Sequence, residues 1–287
     1  MIAPAAHEAP TGFAIRRIVV AADSSAQGQA VLEAAANLGA RLHAEVEGVF
    51  VEDIDLVNLA ALPLGREVHL ISGVARALDT DTLEIQFRAE ASQARRALKL
   101  LTDRARVTSS FRVVRGRVDA EIMMAAGGGD LLVIGIYSRA VGPRSRPGSM
   151  ALAAARAGPR SVLLLRAGAR VTGRVLVAFD GSEGAKKALD AGARLTGDTV
   201  DGLSVLLTAD TPSRADELQA QVRAALSPWS ISPKFLRTPR LDLDDMCRLS
   251  HDAGAEILVL DAGHPVLADD AHGRLLEQIS CPVLLVR

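Results

Sequence analysis

The sequence predicts two tandem α/β domains, each a doubly wound parallel sheet of Rossmann-like type with helices on both faces. Three observations lead there. The chain has 287 residues, and domains average roughly 150. Short apolar runs rich in Val, Ile and Leu alternate with Ala-rich stretches of helical period, the pattern of buried parallel strands and their crossover helices. And the chain repeats itself: Arg17-Ile-Val-Val-Ala-Ala-Asp23-Ser-Ser parallels Arg174-Val-Leu-Val-Ala-Phe-Asp180-Gly-Ser, Asp130-Leu-Leu-Val-Ile-Gly135 parallels Glu256-Ile-Leu-Val-Leu-Asp261, and Pro159–Arg166 parallels Ser280–Arg287.

Each element follows from local pattern. In the first repeat, residues 14–169, an apolar run ending at Asp23 predicts a strand over 16–22, and the small polar cluster after it caps a helix over 26–40. A second strand is expected over 43–51 and an irregular stretch over 52–79. Leu83, Phe87, Ala91, Ala94, Leu98 and Leu101 recur three or four apart, which predicts a long amphipathic helix over 80–105. Strand 110–115, helix 119–127 ending at Gly127-Gly-Gly129, strand 130–136, loop 137–148, helix 149–157 and strand 161–166 complete it. The second repeat, 170–287, keeps the order: strands 174–179, 199–208, 231–237, 256–260 and 281–286, with helices 183–195, 212–227, 243–253 and 271–278. Right-handed crossovers make each repeat a doubly wound sheet.

The copies are not equivalent. Asp23 and Asp180 lie 157 positions apart, but Gly135 and Asp261 only 126, and Arg166 and Arg287 only 121. The second copy therefore lacks 31 residues, mainly after Val51, and 5 more in the loop after Gly135. Charge differs as well, +3 over 1–169 and −4 over 170–287.

Composition excludes several classes. The net charge is −1 and only 8 residues are aromatic, so neither the basic field nor the stacking surface of a nucleic-acid binder is present, and a membrane-surface role is equally unsupported. Two cysteines make no disulfide framework, and no apolar run reaches the ~18 residues of a membrane span. Met1–Thr11 reads as a frayed tail and the expected location is cytoplasmic.

The chemistry concentrates beyond the carboxyl ends of the strands, where such sheets bind ligands. Ala22-Asp23-Ser24 follows the first strand and offers a carboxylate to a ribose hydroxyl or a base amino group. The segment Gly135-Ile-Tyr137-Ser138-Arg139-Ala-Val-Gly142-Pro-Arg144-Ser-Arg146-Pro-Gly148-Ser149 leaves a strand and enters a helix, whose first amides and dipole suit a phosphate. Over about 14–287 the chain resembles a tandem universal stress protein, with the adenine nucleotide alpha hydrolase-like fold. ATP-binding members of that family carry Gly, two residues, Gly, nine residues, Gly, then Ser or Thr. Gly135 and Gly148-Ser149 match, with Ser138 in place of the second glycine.

That resemblance implies a non-catalytic stress-response module binding ATP or AMP, with Mg2+ accompanying ATP. Ala22 and Asp23 would meet ribose and adenine, and Val49, expected at the end of its strand, the base; Gly135, Tyr137 and Ser138 would line ribose and phosphates, and Gly148, Ser149, Met150 and Ala151 would cradle the phosphate tail. It also implies an intramolecular pseudo-dimer of the two domains, with a further homodimer open. In the second repeat Asp261 replaces Gly135, the loop is short and no Gly-Ser pair opens the next helix, so only the first repeat is expected to bind nucleotide.

Other readings stand beside this one. A nucleotide-free scaffold or adaptor with a vestigial loop is the alternative; an ATP hydrolase lacks a Walker lysine, paired metal carboxylates and an activated nucleophile. The apolar stretch 52–79, absent from the second repeat, suggests a segment folded over its own sheet edge or the other domain, a lid, or a docking surface for a protein partner. His264, Asp269, Asp270 and His272 read as a solvated loop without metal-ligand spacing, and Cys247 as an inert packed thiol.

Overall fold

Residues 14–62, 66–68, 75–77, 79–136, 147–166, 168–169, 171, 173–197, 202–229, 231–268 and 271–287 are described by a computed structural model of the chain. Two compact units emerge, one formed by Arg16–Ala169 and the other holding Arg170–Arg287. The first contains β1 (Arg17–Ala21), α1 (Ala26–Leu42), β2 (Glu45–Asp53), α2 (Ile54–Ala60), β3 (Arg66–Val68), β4 (Ala75–Ala77), α3 (Thr80–Ala105), β5 (Ser109–Gly116), α4 (Val118–Gly127), β6 (Leu131–Gly135), α5 (Ser149–Ala157) and β7 (Ser161–Leu165). The second contains β8 (Val175–Phe179), α6 (Glu183–Thr196), β9 (Leu203–Thr208), α7 (Pro212–Leu226), β10 (Lys234–Thr238), α8 (Leu243–Asp252), β11 (Ile257–Asp261), α9 (His272–Gln278) and β12 (Val283–Val286).

Both units are parallel α/β sheets. The first has strand order β5-β2-β1-β6-β7 and the second β10-β9-β8-β11-β12, the same winding in each. The apolar runs become central strands because both of their faces are covered: Ile18, Val19, Val20, Leu132 and Val133 are 0% exposed, as are Leu176, Val177, Leu258 and Val259. Short polar side chains start the helices. Ser25, Asp79, Ser182, Thr211 and Asp242 each accept a hydrogen bond from a first-turn amide.

The stretch 52–79 departs from the irregular segment expected. Asp53 ends β2 and caps α2, its carboxylate accepting from the Asp55 N–H at 3.0 Å, while β3 and β4 pair antiparallel with Arg66 opposite Ala77. These elements are too short to show a period, so sequence pattern alone misses them. Leu56, Leu59 and Leu62 stay exposed. β2 also runs two residues past the expected end, because β5 pairs with it as far as Asp53 opposite Gly116. The Met1–Thr11 tail and residues 199–201 of the expected strand 199–208 lie outside the described residues. Among those described, no helix is long and apolar enough to cross a membrane.

Candidate functional site

In the first unit the winding reverses between β1 and β6, which pair as Val20 with Val133, and the carboxyl ends of strands at such a reversal are where parallel α/β sheets bind ligands. Ala22, just past β1, is buried and donates its N–H to the Val49 carbonyl at 2.9 Å. Val49 itself is not a strand end. β2 continues to Asp53, and the Val49 side chain, 1% exposed, sits in the core.

Asp23 is exposed. Its Oδ1 accepts from the Ser25 N–H at 2.7 Å and the Ser25 hydroxyl at 2.5 Å, and Ser25 Oγ in turn accepts from the Gly28 N–H at 3.0 Å. The carboxylate therefore braces the start of α1, leaving Oδ2 without a hydrogen bond among the described residues. It lies over Gly28 so closely that a Cβ there would collide with it.

Beside β1, Gly148 is held against the residue that follows β6. The Ile136 N–H donates to the Leu165 carbonyl at 2.8 Å, and the Gly148 N–H donates to the Ile136 carbonyl at 2.8 Å. This pins Gly148-Ser149 beside the end of Gly135. Gly148 is the N-cap of α5 in extended conformation, and no side chain caps this helix. Among the described residues no side chain accepts from the first-turn amides of Ser149, Met150 and Ala151, and a helix start in that state favours an anion. Tyr137, Ser138, Arg139, Arg144 and Arg146 lie outside the described residues.

The second unit keeps the Asp–Ser brace at the head of its first helix but differs at the end of β11. Asp180 accepts from the Ser182 N–H at 2.9 Å, and Ser182 Oγ from the Ala185 N–H at 3.1 Å. Burial pushes the Asp180 carboxyl up, but the Ser182 amide and hydroxyl, helped by His264, overcome it and hold the group below its usual range. Asp261, at the end of β11, sets its carboxylate against Gly184 in the first turn of α6 and near Gly263. A carboxylate thus stands at the strand end where the first unit has Gly135, which carries no side chain.

His264 is the residue that sequence reasoning misread. It is not solvated: only 6% is exposed, its Nδ1 accepts from the Val266 N–H at 3.1 Å, and its buried Nε2 has no partner among the described residues. Burial pushes the imidazole down from its ordinary value, against the pull of Asp180 and Asp261. Burial likewise lowers Arg287, with Asp261 opposing. The one available signal was the offset, since His264 stands 126 positions after Ser138, as Asp261 does after Gly135. Asp269 and Asp270 lie outside the described residues, and among those described no group of His, Cys, Asp or Glu could hold a metal ion. The Cys247 thiol is pushed up by burial and then by Asp244, the direction that quiets a nucleophile.

No family model matches the chain, and no curated protein does. Solved structures do. A universal stress protein from Archaeoglobus fulgidus DSM 4304 superposes with a TM-score of 0.69 at 16% identity, covering 94% of this chain and 98% of that one. A candidate universal stress protein from Pseudomonas aeruginosa UCBPP-PA14 gives 0.56 at 17% identity, covering 95% and 93%. A functionally unknown protein from Pseudomonas aeruginosa PAO1 gives 0.55 at 17% identity, covering 95% and 92%. At these identities the likeness is one of fold: the chain has the α/β fold seen in universal stress proteins.

Proposed function

We propose that the chain is a universal-stress-type regulatory protein whose first domain binds ATP or AMP without catalysing a reaction on it. The observation that carries this reading is the uncapped start of α5, held beside the end of β6 by the Gly148–Ile136 hydrogen bond and next to the strand that presents Asp23. Helix-start amides with no side-chain cap among the described residues suit phosphate oxygens, and a carboxylate whose second oxygen has no hydrogen bond among them suits a ribose hydroxyl. Mg2+ accompanies the nucleotide if it is ATP. The second domain takes no nucleotide, because the Asp261 carboxylate stands at the corresponding strand end and repels a polyphosphate. The exposed leucines of α2 offer an apolar surface to a protein partner.

Native mass spectrometry of freshly purified protein, followed by calorimetric titration with ATP and AMP, tests the reading. One nucleotide per chain is expected, abolished by Asp23→Ala and retained by Asp180→Ala. Two equivalent sites, no binding, or loss in Asp180→Ala alone would overturn it.

A further inference from the structure

The turn after β11 is closed by a side chain that can gain a proton. Asp261 ends the strand, its carbonyl accepts from the His264 N–H at 3.0 Å, and a short 3-10 turn, Pro265–Leu267, follows. His264 caps this turn twice over. Its carbonyl accepts from the Leu267 N–H at 2.9 Å, and its Nδ1 accepts from the Val266 N–H at 3.1 Å. The second bond requires a neutral ring with its proton on Nε2, since a protonated Nδ1 is a donor facing another donor.

That neutral ring is poorly satisfied where it sits. Its Nε2–H is buried with no acceptor among the described residues. Two carboxylates on separate elements, Asp180 just beyond β8 and Asp261 at the end of β11, attract positive charge on it, and Asp261 likewise favours the charge of the Arg287 guanidinium beyond β12. The closed turn thus satisfies the backbone at the expense of the imidazole, and an imidazolium turned toward Asp180 and Asp261 would satisfy the imidazole at the expense of the turn.

We infer that His264 is a proton-operated latch on the turn after β11: neutral, it holds residues 264–267 closed, and protonated, it exchanges the Val266 amide for the carboxylates of Asp180 and Asp261 and lets the turn open. The direction follows from burial. A ring that is 6% exposed resists charging while the turn is closed, so the added proton is taken up mainly by the open form, and acid shifts the population toward it. The latch stands where the first domain has Ser138, which cannot titrate, so the two domains would differ in what they sense. This inference does not depend on nucleotide binding by the first domain.

Amide hydrogen exchange of the full chain between pH 7.5 and 5, corrected for the intrinsic rate, reads the latch directly. Protection at Val266 and Leu267 is expected to fall with pH by up to about tenfold per unit once the pH is below the ordinary imidazole range, while Leu258–Leu260 in β11 keep theirs. His264→Asn retains an acceptor for the Val266 amide but cannot titrate, and its protection should be flat with pH. Asp180→Asn should move the wild-type transition to lower pH. Protection at Val266 that is flat in the wild type, that falls equally in His264→Asn, or that falls together with β11 would overturn the inference. Imidazole nitrogen NMR of the wild type supplies an arm free of mutation: an Nε2–H tautomer at neutral pH is expected, and an Nδ1–H tautomer would overturn the latch.

Discussion

The Asp261 carboxylate packs onto Gly184, closely enough that a Cβ at position 184 would overlap its carboxyl carbon and both oxygens. A residue at the end of β11 thereby fixes what the first turn of α6 can be. Gly184→Ala is accordingly expected to destabilise the protein by about 1–3 kcal/mol, the range for overpacking, although Ala is the better helix former by about 1 kcal/mol. Adding Asp261→Gly should return most of the loss. Urea denaturation of the two single variants and the double checks this, and strict additivity would count against the contact.

Ser25 and Asp23 act as one brace at the head of α1. Ser25→Ala removes the cap and should cost about 0.5–2 kcal/mol, whereas Asp23→Ala should cost less while abolishing nucleotide binding. Thermal melts with and without ATP separate the two effects. Equal ligand-induced shifts in both variants would show that Asp23 serves the fold alone.

The acid side of the stability profile should carry two steps. Asp180 is held below the usual carboxylate range in the folded chain; unfolded carboxyls protonate near about pH 3.9, so the stability it adds is complete above that and is lost as pH falls through the lower folded value. His264 is also lowered on folding, from about 6.5 unfolded, so below that pH the unfolded chain binds more protons and stability declines. Denaturation midpoints from pH 8 to pH 4 should show the upper step in wild type and lose it in His264→Asn. A decline between pH 6.5 and 5 that survives in His264→Asn would refute the assignment.

Glu47, 6% exposed on β2, is held by Arg17 Nη2 at 2.7 Å from β1 and by Arg112 Nε at 2.9 Å from β5. Replacing both arginines by Met strands a buried carboxylate and should cost about 3 kcal/mol or more, and Glu47→Leu in that background should recover most of it. Chemical denaturation provides the measurement, and a cost below 1 kcal/mol would mean that water reaches the carboxylate.

Much of the fold was legible because its determinants are local. Apolar runs such as Ile18–Val20 and Ile257–Leu260 form strands, the small polar residues after Asp23 and Asp180 start helices, and the 3.6-residue spacing from Leu83 to Leu101 matches α3. The elements missed are those a neighbour creates. β2 extends to Asp53 because β5 pairs with it, and Val49, expected at a strand end, becomes a core residue as a result. α2 rests on a single Asp cap and about two turns of mixed residues, too short for a periodic signal.

By itself the sequence determined the parallel α/β class, the helix starts and the chemical difference between the strand ends at Gly135 and Asp261, because composition, period and spacing act through nearby residues. Only the tertiary structure decided what the side chains at the strand ends meet. Asp261 reaches Gly184, and a buried His264 feels the charges of both Asp180 and Asp261, because the ends of β8 and β11 lie side by side although about eighty residues separate them in the chain. Burial depends on what packs over a residue, and for a polar residue such as His264 no local pattern carries that information.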